Sequence, residues 1–346
     1  MLSFVWSDPL PIYSGRGGSE NFTIGHVREL LERGIDARII TVGLGEKDGR
    51  QFFPDIPFYS VSAVKELEKL DDTLFFISRP QPIKTKGESF VIFHTQPPAN
   101  PNQRTVLKHA IRDKIIIVNS RFSRKLWSEY FSIPASSITV VYPFADPAFG
   151  RVKRPKRSTD SKRVEILYAG RLTPEKGIYT LLQALHHEIF RDDCQVSVTT
   201  AGNQTEDGEA IERFLRHHSW VKVVDATHTP TETAKLFAQF QIVVIPSNPD
   251  YWTSMFGYWH ETFGMISVEA QHAGCYVVAS NNGGLLETDC GGLVLFESSN
   301  SYSLALAIQK IAKASPLNDE QRRQAVKHFT RTESVNALLA ILQHSK

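Results

Sequence analysis

Short β-rich runs alternate with amphipathic helical patterns along this chain, stop, and then begin again. That double alternation limits the available folds more than any other feature. "LSFVWS" reads as a strand, "NFTIGHVRELLERG" as a helix ending at Gly34, and "ARIITVG" as the next strand. "TLFFIS", "SFVIFH", "KIIIVN" and "ITVVYP" extend the series, and "SRKLWSEYF" is helical between two of them. Such a rhythm predicts a parallel sheet covered by helices on both faces. Residues 151–163, "RVKRPKRSTDSKR", break it: they are basic, contain a proline, and offer only Val152 as a large apolar residue. Beyond them "VEILYAG", "QVSVTTAG", "VKVVDA", "QIVVIPS", "CYVVAS" and "GGLVLF" read as strands with helices between most of them. The expected architecture is α/β, with two tandem Rossmann-like domains over 1–150 and 164–320. The linker is 151–163, and a helical segment over 321–346 can cross back to the N-terminal domain. Doubly wound sheets bind ligands outside the carboxyl ends of their strands, so a cleft between the two parallel sheets is expected.

Composition narrows the partners. A chain of 346 residues with 41% hydrophobic and 22% charged content is of the folded, globular kind. A net charge of +2, and a basic linker with no aromatic residue interleaved, give no case for nucleic acid. Cys194, Cys275 and Cys290 lack the CxxC spacing of a zinc site or a disulfide framework. No apolar stretch approaches the roughly 20 residues that span a bilayer, and no basic region precedes an apolar run at the N-terminus. A cytoplasmic location is expected, with any membrane contact peripheral and at the inner face. Residues 104–131 set Arg104, Lys108, Arg112, Arg121, Arg124 and Lys125 beside Trp127, Tyr130 and Phe131. Such a stretch can face anionic lipid, or it can be an ordinary helix with one solvated and one core face.

Three segments carry candidate chemistry. "YSGRGGSEN" lies between the first strand and the first helix, where Gly17 and Gly18 can serve a turn or present backbone N–H groups to an anion. It does not satisfy the G-x-G-x-x-G fingerprint, and no Walker lysine follows. In "YAGRLTPEKG", Arg171 and Lys176 stand at the carboxyl end of a strand, where a forked guanidinium and a mobile ammonium suit a diphosphate. In "HETFGMISVEA", Glu261 precedes a helix expected from Gly264 to Ala273, and Glu269 lies inside it. An acid/base pair needs its carboxyls roughly 5 to 9.5 Å apart, whereas two helical turns alone rise about 11 Å. The better fit is a long ligand across the helix N-terminus, with a negative group at Gly264 and Met265 and hydroxyls at each end. A nucleotide sugar has that layout.

"GRLTPEKG" followed by "HETFGMISVEA" resembles the retaining glycosyltransferases of family 4, which have the GT-B fold of two facing Rossmann-like domains. The likeness is strongest over about residues 165–292, with weaker echoes in "GRGGSEN", "FHTQPP" and "VYPFAD". It implies that Arg171 and Lys176 neutralise the donor diphosphate, that Glu269 holds the ribose, and that Glu261 contacts the donor sugar on its reacting side. By the same resemblance His94 meets the donor sugar or its developing charge. Gly17, Gly18, Asn203, Phe263, Gly264, Met265, Gly283 and Gly284 would line the donor. The implied reaction moves a hexose from a UDP- or GDP-sugar to a glycan or lipid-linked acceptor with retention, and needs no metal or other cofactor. Departures are Asn203 where a second glycine is common, and Leu285 or Leu286 where a proline is common. The long aromatic approach "SNPDYWTSMFGYW" is a third, in which Tyr251, Trp252, Phe256, Tyr258 and Trp259 could stack on a sugar or pack against one another. Two other readings stand beside this one. One is a nucleotide-sugar-binding protein without turnover. The other is an NAD-dependent oxidoreductase, which needs the glycine fingerprint that is broken ahead of Asp36.

Overall fold

A computed structural model describes residues 1–7, 12, 17–43, 45–155, 164–187, 194–199, 206–217, 220–314 and 317–344. The chain divides into two compact units, 1–144 with 331–346, and 145–330. The sequence reading set the division at the basic linker; of that segment, residues 156–163 lie outside the described residues.

The first unit is built on a parallel sheet of seven strands: β1 (Leu2–Trp6), β2 (Ala37–Val42), β3 (Phe58–Val61), β4 (Thr73–Ile77), β5 (Ser89–Phe93), β6 (Ile115–Val118) and β7 (Ile138–Val140), in the order β3-β2-β1-β4-β5-β6-β7. The central strands read as unbroken apolar runs because both of their faces are covered. Alternate residues feed two cores. Phe4, Ile39, Phe75, Phe90 and Ile117 line one face, and Val5, Ile40, Phe76, Val91 and Val118 the other. On the first face the Phe75 ring stacks between Phe4 and Phe90, with centroids 4.9 and 4.8 Å away.

The Arg331–His344 helix packs against the Gly18–Glu32 helix of the same unit. Glu29 is the centre of that contact. It accepts from Arg33 at 2.7 Å, from Arg331 at 2.8 Å and from Thr332 at 3.0 Å. Beneath it, His26 is fully buried between the Phe22 carbonyl and the Ser334 hydroxyl. Burial holds the His26 imidazole down to about 4, so the ring stays neutral in this core.

The second unit carries a six-stranded parallel sheet: β8 (Val164–Tyr168), β9 (Cys194–Thr199), β10 (Val221–Val224), β11 (Ile242–Ile245), β14 (Tyr276–Ser280) and β15 (Leu293–Phe296), in the order β10-β9-β8-β11-β14-β15. A short antiparallel hairpin of β12 (Trp252–Thr253) and β13 (Gly257–Tyr258) intervenes after β11. Ile166, Tyr168, Val198, Val244 and Val278 meet the Ile178–Ala184 and Ser301–Ala312 helices on one face. The order of strands reverses between β8 and β11, which pair directly. A crevice at the carboxyl ends of two such strands is where an open α/β sheet binds ligand. The segments holding Lys176 and Glu261 leave β8 and β11 respectively.

Candidate active site

Two chain segments are locked together at this reversal point. After β8 the Tyr168 hydroxyl donates to the Arg171 carbonyl at 2.7 Å, shaping the turn. The Asn248 N–H, just past β11, donates to the Glu175 carbonyl at 2.9 Å. Gly177 takes φ +75°, and a Cβ there would fall 1.6 Å from the Pro246 carbonyl oxygen. Only glycine can hold this turn against β11. Within it, buried Glu175 accepts from Thr173 at 2.7 Å and lies 3.4 Å from the Arg171 guanidinium. Arg171 itself is exposed.

Lys176 is thereby aimed at the other segment. Its ammonium pairs with the Glu261 carboxylate and lies 4.6 Å from the centre of the Trp259 ring. The lysine and glutamate side chains are 19% and 13% exposed, so the pair is largely withdrawn from water yet still reachable. Trp259 is fixed in turn by its indole N–H, which donates to Ser247 at 3.1 Å. Asn282 donates to the same hydroxyl at 3.3 Å, and His260 Nδ1 lies 3.4 Å from the Asn282 carbonyl oxygen.

Beyond Glu261 the chain turns into the Met265–His272 helix through Gly264, at φ +101°. Its N-cap, Gly264, has no side chain with which to cap it, and the helix presents the positive end of its dipole there. Phe263 is buried, edge-on to the Phe329 ring. Gly284 donates its N–H to the Glu261 carbonyl at 2.7 Å, and a Cβ on it would fall 2.2 Å from the Thr262 carbonyl oxygen. Gly283 is the preceding residue, at φ +61°. The close approach that these glycines permit is therefore onto the Glu261–Phe263 backbone, which they brace. The Glu269 side chain is buried within the helix, and its carboxyl has no hydrogen bond or ion pair to another described residue, although its backbone carbonyl accepts from the Ala273 N–H at 3.0 Å. Burial first, and then the Asp146 charge, push its carboxyl up to about 7.

The remaining predicted residues belong to the other unit or, for Asn203, lie outside the described residues. Gly17 and Gly18 open the first helix of the other unit. Gly17 is extended at φ −164°, a conformation open to any residue, and the Glu20 carboxylate lies against it. His94 directly follows β5 and meets Phe22 edge-on, with ring centroids 4.7 Å apart, so it sits near the first turns of that helix. Burial and then His26 hold its imidazole down to about 3, leaving it neutral. Asn203 lies outside the described residues. The aromatic approach, expected as a loop, contains the β12–β13 hairpin. Glu175, Ser247 and Asn282 were not singled out from sequence, because the pattern does not tell which of several polar residues becomes a buried brace.

Two doubly wound parallel sheets, the second with a cation–carboxylate pair and a glycine-capped helix start at its reversal point, are the architecture of a GT-B glycosyltransferase. Comparison with known proteins makes the assignment specific. The model of the family glycosyl transferases group 1 matches residues 151–328, just over half of the chain, and the chain belongs to that family. The lipopolysaccharide 1,2-N-acetylglucosaminetransferase of Salmonella typhimurium is 25% identical, over 70% of this chain and 67% of its own. Among solved structures, a glycosyltransferase from Rickettsia africae superposes with a TM-score of 0.74 at 17% identity, covering 99% of this chain and 98% of that one. Anabaena HepE, solved in complex with UDP and glucose, gives a TM-score of 0.67 at 17% identity and covers 99% of each chain. Among the described residues no helix is long and apolar enough to cross a membrane.

Proposed function

We propose that this glycosyltransferase is of the retaining, family 4 type. It would transfer a hexose from a UDP- or GDP-sugar to a glycan or lipid-linked acceptor without a metal ion. The observation that carries the reading is the Lys176–Glu261 pair set beside the glycine-capped start of the Met265–His272 helix. A diphosphate sugar complements all three parts. Its phosphates match Lys176 and the helix N-terminus, and its sugar hydroxyls match Glu261. Arg171, exposed and only loosely held by Glu175, can swing to the phosphates and add forked hydrogen bonds. As the sugar–oxygen bond breaks, negative charge gathers on the departing diphosphate. Fixed cations and a helix dipole stabilise that charge, which is how this site would lower the barrier. Glu269, held close to its titration point by burial, would accept from ribose hydroxyls. The resemblance further implies donor contacts for His94 and for Gly17 and Gly18 at the start of the Gly18–Glu32 helix. The HepE structure, solved in complex with UDP and glucose, supports a UDP-sugar as the first donor to test.

The experiment is thermal-shift screening with UDP, GDP and ADP, then their hexose conjugates, with and without magnesium. A ligand that binds only the folded protein, at 100 times its Kd, stabilises it by about 2.7 kcal/mol. A base-selective shift without metal that disappears in Lys176→Ala is expected. A shift with NAD and none with any nucleoside diphosphate would overturn the proposal.

A further inference from the structure

Two buried polar side chains adjoin the segment that carries Glu261. Ser247, two residues past β11, is 0% exposed, and Asn282, two residues past β14, is 2% exposed. A buried amide or hydroxyl costs free energy unless it is hydrogen-bonded, and an apolar side chain of similar volume would fill such a position without that cost. Both of these are bonded. Asn282 Nδ2 donates to Ser247 Oγ at 3.3 Å, which turns Asn282 Oδ1 toward His260 Nδ1 at 3.4 Å. An amide oxygen only accepts, so Nδ1 carries a proton on that imidazole. Ser247 Oγ also accepts the Trp259 indole N–H at 3.1 Å. The two residues that lead into Glu261 are thus tied to one buried hydroxyl, Trp259 directly and His260 through Asn282.

Backbone contacts fix both ends of this relay. Ser247 follows Pro246, whose carbonyl the Gly177 turn presses against, and the Ser247 nitrogen lies 3.3 Å from where a Gly177 Cβ would stand. That turn carries Lys176. Asn282 precedes Gly283 and Gly284, and the Gly284 N–H donates to the Glu261 carbonyl at 2.7 Å. The main chain bearing the cation and the main chain bearing the carboxylate are therefore registered through Ser247, Asn282 and His260, in addition to the Lys176–Glu261 pair itself. Hydrogen-bonded networks of this buried kind fix one arrangement of the groups they join. The distinction matters once a donor is bound. With Lys176 shared with a diphosphate, the ion pair holds Glu261 less firmly, and the relay remains. We infer that Asn282 is a positioning residue for the sugar end of the donor, acting through His260 to hold Glu261 in place. This role rests on the proposed transferase reading, and it makes Asn282 govern affinity for the sugar rather than for the nucleoside diphosphate.

Calorimetric titration with UDP and with UDP-glucose supplies the test, read as the ratio of the two Kd values. If the nucleotide screen selects GDP, then GDP and GDP-mannose replace them. Asn282→Leu is close in volume but makes no hydrogen bonds. It should raise the Kd of UDP-glucose relative to that of UDP about fivefold, about 1 kcal/mol, with UDP itself bound within about twofold of wild type. Asn282→Asp keeps an acceptor for His260 and should return the ratio to within about twofold of wild type. His260→Phe, at a half-buried position, should reproduce the rise. Asn282→Leu/His260→Phe should add nothing further, because both changes break the same link. An unchanged ratio in Asn282→Leu, equal weakening of UDP and UDP-glucose, or additive effects in the double variant would overturn the inference. If Asn282→Leu does not fold, His260→Phe decides, and an unchanged ratio there is equally fatal. A wild type that binds no nucleoside diphosphate and no hexose conjugate would overturn the transferase reading and this role with it, whereas an unchanged ratio removes this role alone.

Discussion

Glu269 offers a quantitative check on the donor helix. Its carboxyl is displaced from 4.5 to about 7, and each pH unit of displacement corresponds to about 1.4 kcal/mol. The whole displacement is therefore worth about 3 kcal/mol of stability. Its sign is set by which state keeps the proton. Below about pH 4.5 the group is protonated in folded and unfolded chains alike and adds no pH dependence. Between about 4.5 and 7 the unfolded chain releases the proton while the folded chain retains it, so folding is progressively disfavoured as pH rises. Above about 7 the penalty is complete. Glu269→Gln keeps the shape and removes the titration. The variant should therefore gain on the wild type by about 3 kcal/mol across that window and run parallel to it above. Urea unfolding of both proteins, followed by tryptophan fluorescence from about pH 5 to 8, measures the difference. Asp146→Asn should narrow it, since that charge is the second cause of the displacement. Curves that stay parallel from pH 5 to 8 would refute the placement of Glu269 as a buried, unpaired carboxyl.

Other consequences follow from particular contacts. Gly177→Ala must accommodate a Cβ 1.6 Å from the Pro246 carbonyl at a positive φ. It should destabilise by about 3 kcal/mol or more, and a melting temperature within about 2 °C of wild type would contradict the tight turn. At Glu29 burial favours the neutral acid, but bonds from Arg33 and Thr332 and the Arg331 charge outweigh it and hold the carboxyl below its usual range. Its contribution is present above pH 4.5 and fades as pH falls further. Glu29→Gln should thus cost about 3 kcal/mol at neutral pH and much less in acid, read as the gap between the two melting temperatures. Trp259→Leu removes the ring beside Lys176 and should weaken nucleotide binding by several-fold, about 1 kcal/mol. Isothermal titration that finds unchanged affinity would mean that the ring does not position the lysine.

Much of the fold was legible because its central strands are buried on both faces and so appear as apolar runs, as "TLFFI" and "SFVIF" do. β3, "FYSV", was missed since it is four residues long and exposes Tyr59 at the sheet edge. The hairpin escaped for a related reason: strands of two residues show no periodicity. At the site, the meeting of Lys176 with Glu261 across 85 residues could be expected only from the resemblance, because spacing reports nothing about contacts between segments. Glu175 sits beside Lys176 in the sequence yet became the buried brace of the turn. That outcome depends on Asn248 and Thr173 closing over it, which no local pattern encodes.

The chain passes out of the first unit at Phe144 and returns at Arg331. The order of synthesis and the order of completion therefore differ. The first unit begins to emerge from the ribosome before the second, yet its Glu29 hub has no Arg331 or Thr332 to bind until the second unit has been made. At about 5–20 residues per second, that interval is roughly 10 to 40 s. During it the Gly18–Glu32 helix lacks its partner helix, and His26 lacks the Ser334 hydroxyl. The second unit, continuous from Ala145 to Thr330, meets no such delay. The N-terminal sheet is thus the part of the nascent chain most dependent on protection, and the Arg331–His344 helix is the piece that ends that dependence.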